Sequence, residues 1–69
     1  MEIDFSKLIQ HYEQMEKLQK AGGLRKELNP EICVQMHIEF NYPHVSIFQR
    51  MTIAHKVKYL YNQIQNIPF

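Results

Sequence analysis

A single cysteine, Cys33, is the feature that most limits how this chain folds, because it removes intrachain disulfide bonds as a means of stabilisation. The 69 residues make one domain at most. A chain of this length buries only about 60% of the surface that it exposes when unfolded, so its core is marginal by itself. The remaining means of stabilisation are a bound metal ion and association with another chain.

The composition predicts a folded protein in a reducing compartment. Hydrophobic residues make up 45% of the chain, which is ordinary for a globular domain and too high for a disordered one. The lone cysteine, the lack of a basic and apolar leader and the lack of a long apolar run predict a cytoplasmic protein without a membrane partner.

The first element is predicted to be a helix that begins after Asp4, its N-cap, and runs to about Lys20. At 100° per residue, its apolar side chains share an arc of about 120°. These residues are Phe5, Leu8, Ile9, Tyr12 and Met15. Gly22 and Gly23 supply the positive φ that commonly ends a helix.

The segment 33–40 has two interpretations. Every second residue is apolar, which is the period of a half-buried strand. Asn29, Pro30 and Glu31 instead mark a helix start, with a cap, a proline at the first helical position and an acid at the positive end of the dipole. A strand needs a neighbour for its backbone groups, and here it would have to pair across a dimer or with a weak candidate such as 24–28. We therefore predict a helix that ends near Asn41, with an α+β domain containing a strand at 33–40 as the alternative.

The third element is predicted to be a long helix with a capping box formed by Ser46 and Gln49. It runs to about Gln65, and its apolar residues share an arc of about 140°. These residues are Ile47, Ile53, Ala54, Val57, Leu60, Tyr61 and Ile64. Arg50 falls on the same side and needs an acidic partner or a path to solvent. The predicted fold is a small all-α domain of three helices.

The residues that carry chemistry are few. Cys33 and His37 are four residues apart, but nothing around them predicts a catalytic cleft. Together with His44 and His55 they have side chains suited to zinc, yet their spacing matches no zinc pattern and there is no Cys-x2-Cys pair. We therefore predict that the protein is not an enzyme and has no metal or cofactor.

The charges are distributed unevenly. All seven acidic residues precede residue 40, which gives residues 1–39 a net charge of −2 and residues 40–69 a net charge of +3. A small DNA-binding regulator that uses Arg50, His55, Lys56 and Lys58 is therefore our second interpretation. Lys56 and Lys58 point about 160° apart on the helix, so these bases are scattered around it and bind phosphates weakly.

Our first interpretation is a protein that acts by contact with another protein, because the chain has more large apolar side chains than so small a core can bury. The residues that we predict at the contact surface are Tyr42, Phe48, Met51, Tyr59 and Phe69. Aromatic and methionine side chains are the types that anchor interfaces. A homodimer would also supply stability that the core lacks. We predict a non-enzymatic regulator, adaptor or inhibitor that binds another protein, itself or both.

Overall fold

The computed structural model describes residues 3–65, and within this range the chain forms three helices and no strand. Helix α1 spans Phe5–Lys20, α2 spans Pro30–Asn41 and α3 spans Ile47–Gln65. Each helix packs against both of the others. The prediction of an all-α, three-helix domain is therefore confirmed.

The segment 33–40 lies entirely within α2, so the strand alternative is wrong. The local signals that favour the helix are all in place. The Asn29 Oδ1 atom accepts a hydrogen bond from the Ile32 N–H at 2.9 Å, and Pro30 occupies the first helical position. An N-cap of this kind satisfies a backbone donor that has no partner inside the helix.

The helical conformation also explains why the segment alternates. Residues four apart share one face of a helix, so the apolar positions divide into two pairs that point in different directions. Val34 and Ile38 are fully buried, whereas Met36 and Phe40 are exposed. The alternation thus places one apolar pair in the core and the other on the surface.

Helix α1 begins and ends where its sequence signals predict. The Asp4 Oδ1 atom accepts from the Lys7 N–H at 3.3 Å. At the other end Gly22 has φ 78°, a conformation that residues with a Cβ rarely adopt. The Gly23 N–H donates to the Leu18 carbonyl oxygen at 2.7 Å, and a Cβ on Gly23 would stand 2.9 Å from Leu18 Cδ2.

Helix α3 begins with the predicted capping box. The Gln49 N–H donates to Ser46 Oγ at 3.2 Å, and the Ser46 N–H donates to Gln49 Oε1 at 3.1 Å. Two backbone donors are thereby satisfied reciprocally. The box fixes where the helix starts and hence which residues face inward.

Two ion pairs give the relative direction of α2 and α3. Arg50 Nη1 lies 3.8 Å from Glu39 Oε2, and Lys58 Nζ lies 3.8 Å from Glu31 Oε1. The start of α3 is therefore beside the end of α2, and the two helices are antiparallel. The first pair also supplies the acidic partner that Arg50 needs on the apolar side of its helix.

Two aromatic contacts place α1 parallel to α3. The rings of Tyr12 and Tyr61 lie 5.0 Å apart between centroids. Lys56 Nζ lies 5.2 Å from the centre of the Phe5 ring. Residue numbers on both helices therefore increase in the same direction, which makes the domain an up-down-up bundle.

The core is a single cluster on the facing sides of the three helices. Its buried members are Leu8, Tyr12, Val34, Ile38, Ala54, Val57 and Tyr61. The predicted apolar faces of α1 and α3 supply five of these residues, so the middle of both faces is confirmed. Only four side chains in the described residues are both large and fully enclosed, namely Leu8, Val34, Ile38 and Val57.

The ends of the predicted α3 face differ from the expectation. Ile47 and Ile64 are 60% and 51% exposed, although both lie in the arc that was predicted to be buried. Helix α3 has 19 residues and α2 has 12, so α3 is longer by about 10 Å. Because Lys58 lies beside Glu31 at the start of α2, the extra length is at the C-terminal end of α3, and Ile64 lies beyond the part that α2 covers.

Candidate functional site

The most exposed apolar surface of α3 is a row of side chains on the face that points away from the core. We call it the outer strip, and it consists of Phe48, Met51, Thr52, His55 and Tyr59. At 100° per residue these five positions fall within an arc of about 100°. Phe48 is 83% exposed and Tyr59 is 59% exposed. A folded chain of this size thus presents two aromatic rings and a methionine to solvent.

The capping box and the core decide that these residues face outward. Ala54, Val57 and Tyr61 are buried against α1 and α2, and the outer strip is centred about 150° away from them around the helix. Thr52 Oγ1 donates to the Phe48 carbonyl oxygen at 2.9 Å, one turn earlier in the helix. The strip is therefore part of a regular helix whose orientation is set by packing on its other side.

On the α2 side of the outer strip, Lys58 lies at the edge of the strip and its Nζ is 3.8 Å from Glu31 Oε1. His55, which belongs to the strip, approaches the same carboxylate at 4.0 Å. The Arg50–Glu39 pair lies instead towards the core side of α3, where the Arg50 side chain is 17% exposed. The strip itself contains no Asp, Glu, Lys or Arg.

The four bases that were predicted to contact nucleic acid do not form a continuous positive ridge. Three of them, Arg50, His55 and Lys58, lie within 4.0 Å of a glutamate oxygen of α2. The fourth, Lys56, lies over the Phe5 ring on the opposite, α1 side of the helix. The acid-free stretch that the sequence shows is thus neutralised in part by acids that come from another helix.

The outer strip leads into an apolar groove at the start of α3. The groove has a volume of about 550 Å³ and lies between Ile3, which precedes α1, the α2–α3 connection and the first turns of α3. Its lining residues are Ile3, His44, Val45, Phe48, Gln49, Thr52 and Ile53. Phe48 and Thr52 belong to both the groove and the outer strip, so the two features form one surface.

Two of the five predicted contact residues lie elsewhere. Tyr42 is half-buried and packs against the core cluster, and its ring meets His44 edge-on at 6.4 Å. Phe69 lies outside the described residues. The structure thus brings Phe48, Met51 and Tyr59 together on one face and places Tyr42 largely inside.

A second apolar region on α2 was not predicted as a contact surface. Phe40 is 79% exposed, and with Met36 and Met15 it borders a shallow groove of about 350 Å³ between α1 and α2. The apolar residues of this region belong to the alternating segment 33–40. Met36 and Phe40 could be assigned to the surface only after Val34 and Ile38 were known to occupy the core.

Of the four residues considered for a metal or catalytic site, Cys33 and His37 border the same groove between α1 and α2. His11, which was not among them, also borders this groove, and its ring lies 4.7 Å from that of His37 with a tilt of 30°. Burial lowers the pKa of His11, and the neighbouring His37 lowers it further, although a hydrogen bond with the Cys33 backbone acts in the opposite sense. Among residues 3–65, no group of three or more His, Cys, Asp or Glu side chains has an arrangement that could hold a metal ion.

Cys33 is buried, and burial raises the pKa of its thiol above the ordinary value. A cysteine nucleophile requires the opposite shift, because the thiolate is the reactive form. The imidazole of His37 is also engaged, since its Nδ1 lies 3.4 Å from Asn41 Nδ2. The arrangement of Cys33 is therefore that of a small apolar side chain in the α1–α2 contact.

Comparisons with known proteins give no match to this chain, whether with family models, curated proteins or solved structures. In the part of the chain that the structure describes, no helix combines the length and apolar character needed to cross a membrane.

Proposed function

We propose that the protein has no catalytic role and acts as a regulator, adaptor or inhibitor by binding another protein through the outer strip of α3. The observation that carries this proposal is the exposure of Phe48 and Tyr59 on a single face of a helix whose other face fills the core. Aromatic rings that remain in water leave unused the favourable free energy of burying about 150 to 250 Å² each.

The chemical character of the outer strip supports the same proposal. Contact surfaces of proteins are enriched in aromatic residues and methionine at their centre and carry polar groups at their rim. The strip has Phe48, Met51 and Tyr59 along its length, and it is bordered on the α2 side by the Lys58–Glu31 ion pair. Phe48 and Tyr59 are the residues that we expect to contribute most to binding.

The alternative, a DNA-binding regulator, is supported by the lack of acids after residue 39. It is less well supported than protein binding because Glu31 and Glu39 neutralise part of the charge of Lys58 and Arg50. Each phosphate contact adds to affinity at low salt, and a helix with so few unneutralised bases offers few of them.

The free thiol of Cys33 agrees with a reducing compartment, and we propose the cytoplasm as the place of action.

The experiment that tests protein binding is affinity capture from the native cell with Phe48→Ser, Tyr59→Ser and the double variant. We expect these variants to lose the captured protein while they retain the thermal stability of the wild type. Phe40→Ser is the matched control, because Phe40 is as exposed as Phe48 but lies on α2. Capture that depends on Phe40 and not on Phe48 or Tyr59 would contradict the proposal.

Retention on nonspecific DNA across a salt series separates the two functions. Strong retention that falls steeply with salt and is lost on Lys56→Gln would favour the DNA-binding alternative. Elution without retention at low salt would remove that alternative.

A further inference from the structure

We infer that a pocket between the last turns of α1, the start of α2 and Lys58 of α3 binds a small free zwitterion of the amino-acid class. Its ammonium group contacts the Glu16 and Glu31 carboxylates, and its carboxylate contacts Lys20 and Lys58. We call this site the polar pocket. Its volume of about 520 Å³ lies within the range of about 300 to 1,000 Å³ that is usual for small-molecule sites. No residue of the outer strip lines it, so this inference does not rest on the proposed function.

The first observation is the Tyr12 hydroxyl, which has no hydrogen-bond partner among residues 3–65. Tyr12 is only 5% exposed and belongs to the core cluster, yet it also lines the polar pocket. No side-chain oxygen of the described residues is both enclosed and without a partner, so this hydroxyl reaches the surface, and it does so in the pocket. The neighbouring Tyr61 instead donates its hydroxyl to Glu16 at 3.5 Å. A buried tyrosine hydroxyl usually has a partner, and here that position is left to a ligand.

The second observation is that two carboxylates lie close to this hydroxyl. Burial raises the pKa of Tyr12, and the negative charges of Glu16 and Glu31 raise it further, so the hydroxyl stays protonated and can donate. Glu16 contacts Lys20 at 3.2 Å and Glu31 contacts Lys58 at 3.8 Å, in both cases through Oε1. A carboxylate has about four acceptor positions. Both glutamates therefore retain positions for the N–H groups of an ammonium ion.

The third observation is the arrangement of the four charges. The side chains of Glu16 and Glu31 are 22% and 27% exposed, whereas those of Lys20 and Lys58 are 76% and 48% exposed. The acids therefore form the inner part of the polar pocket and the bases form its rim. A simple cation is attracted by the acids and repelled by the bases, and a simple anion has the opposite problem. A zwitterion meets an opposite charge at both of its ends, through charge-assisted hydrogen bonds.

Titration of the isotope-labelled full chain, followed by NMR, tests binding. The probes are glycine, 4-aminobutyrate and 6-aminohexanoate, which differ in the separation of their two charges. We expect at least one probe to bind with a millimolar Kd, as suits so small a ligand, and to shift the amide signals of Lys20 and Glu31 but not those of the outer strip. Butylamine and butyrate, which carry one charge each, should bind at least tenfold more weakly. Failure of all three probes to bind, shifts confined to other residues, or equal binding of butylamine would overturn the inference.

Substitutions test which groups hold the probe. Glu16→Gln should weaken binding at least tenfold. Glu13→Gln is the matched control, because Glu13 forms the same kind of i,i+4 pair with Lys17, at 3.4 Å, but does not line the polar pocket. Tyr12→Phe keeps the ring in the core and removes only the hydroxyl, so it should weaken binding severalfold, whereas Tyr59→Phe should leave it unchanged. Equal losses in Glu16→Gln and Glu13→Gln, or wild-type affinity in both Glu16→Gln and Tyr12→Phe, would contradict the assignment of the site.

Glu31→Gln gives a second test from another helix. It keeps the Asn29 cap of α2, so the chain should fold, and its affinity for the probe should fall at least tenfold; an unchanged affinity would contradict the inference. The outcomes also separate this site from the proposed function. If Phe48→Ser abolishes capture of a cellular protein while no probe binds, the protein contact stands and the zwitterion site is wrong. If a probe binds but capture does not depend on Phe48 or Tyr59, the zwitterion site stands and the protein contact is wrong.

Discussion

The two faces of α3 carry similar side chains in opposite surroundings. Tyr61 is 7% exposed, with its ring 5.0 Å from that of Tyr12 and its hydroxyl 3.5 Å from Glu16. Tyr59, two residues earlier, is 59% exposed on the outer strip. Burial raises the pKa of the Tyr61 hydroxyl, and the charge of Glu16 adds to this effect. The comparison teaches that residue type alone does not assign a tyrosine to the core or to a surface.

The same comparison explains what each face contributes. The inner face fills a cluster with few fully enclosed large side chains, so each one provides a sizeable part of the stability of a small domain. The outer strip contributes less to the stability of the isolated chain, because its aromatic side chains stay mostly exposed to solvent after folding. Substitutions should therefore separate stability from binding according to the face on which they lie.

The largest expected difference in stability is between alanine substitutions of the two tyrosines, Tyr61 and Tyr59. Tyr61→Ala should lower the free energy of unfolding by about 3 kcal/mol, because it leaves a cavity beside Tyr12. Tyr59→Ala should change it by less than about 0.5 kcal/mol at concentrations where the chain is a monomer. Urea denaturation followed by circular dichroism measures both values. Equal losses for the two variants would break the distinction between the faces.

A smaller loss of stability is expected from a substitution at the start of α3. The position where the helix begins determines which of its side chains face the core and which face outward. Ser46→Ala should lower the free energy of unfolding by about 1 kcal/mol, because the Gln49 N–H loses its side-chain acceptor. Ser46→Asp is the matched control and should retain most of the stability, since aspartate also caps helices well. An alanine variant as stable as wild type would show that the capping box does not fix the position of the helix.

The ion pair at the edge of the outer strip, between Lys58 and Glu31, should contribute less to stability than the capping box. Glu31→Gln removes the acid that Lys58 and His55 share, and we expect it to cost about 0.5 kcal/mol or less, since such exposed pairs are weak. Raising the salt concentration should reduce this difference. Glu27→Gln, in the exposed α1–α2 connection, should have no effect in the same thermal melts. A loss several times larger would mean that the pair holds α3 in place.

The smallest change in stability is expected from the protonation of His11 as the pH falls. The folded chain holds the pKa of His11 below the ordinary 6.5, mainly by burial and also through His37. The unfolded state therefore binds a proton first as pH falls through 6.5, and stability decreases until the lower folded pKa is passed. His11→Gln should reduce this loss. Melts between neutral and mildly acidic pH would measure it, and an unchanged loss in His11→Gln would contradict the assignment.

The sequence predicted the helices well because their ends depend on neighbouring residues. Asn29 and Pro30 at the start of α2, and Ser46 and Gln49 at the start of α3, act through hydrogen bonds that span three residues. The positive φ of Gly22 is local in the same way. Signals of this range can be recognised without knowledge of the tertiary structure.

The surface was predicted only in part, because exposure depends on which helix covers which residue. The helical arc identified Phe48, Met51 and Tyr59 as outside the main core face, and all three are exposed. It could not show that Glu31 and Glu39, from another helix, lie beside the bases of α3. Nor could it show that Phe40 is on the surface while Ile38 is inside, since both interpretations of that segment gave them the same apolar character.

The extra length of α3 also has a consequence for local motion. Its middle turns, around Val57, are covered by both other helices, whereas the turn around Ile64 projects beyond the shorter α2. Backbone amides open with a free energy that reflects how much packing must be broken. Hydrogen–deuterium exchange should therefore be slow at the centre of α3 and progressively faster towards Gln65, so that the end of the helix unwinds many times for each complete unfolding of the domain.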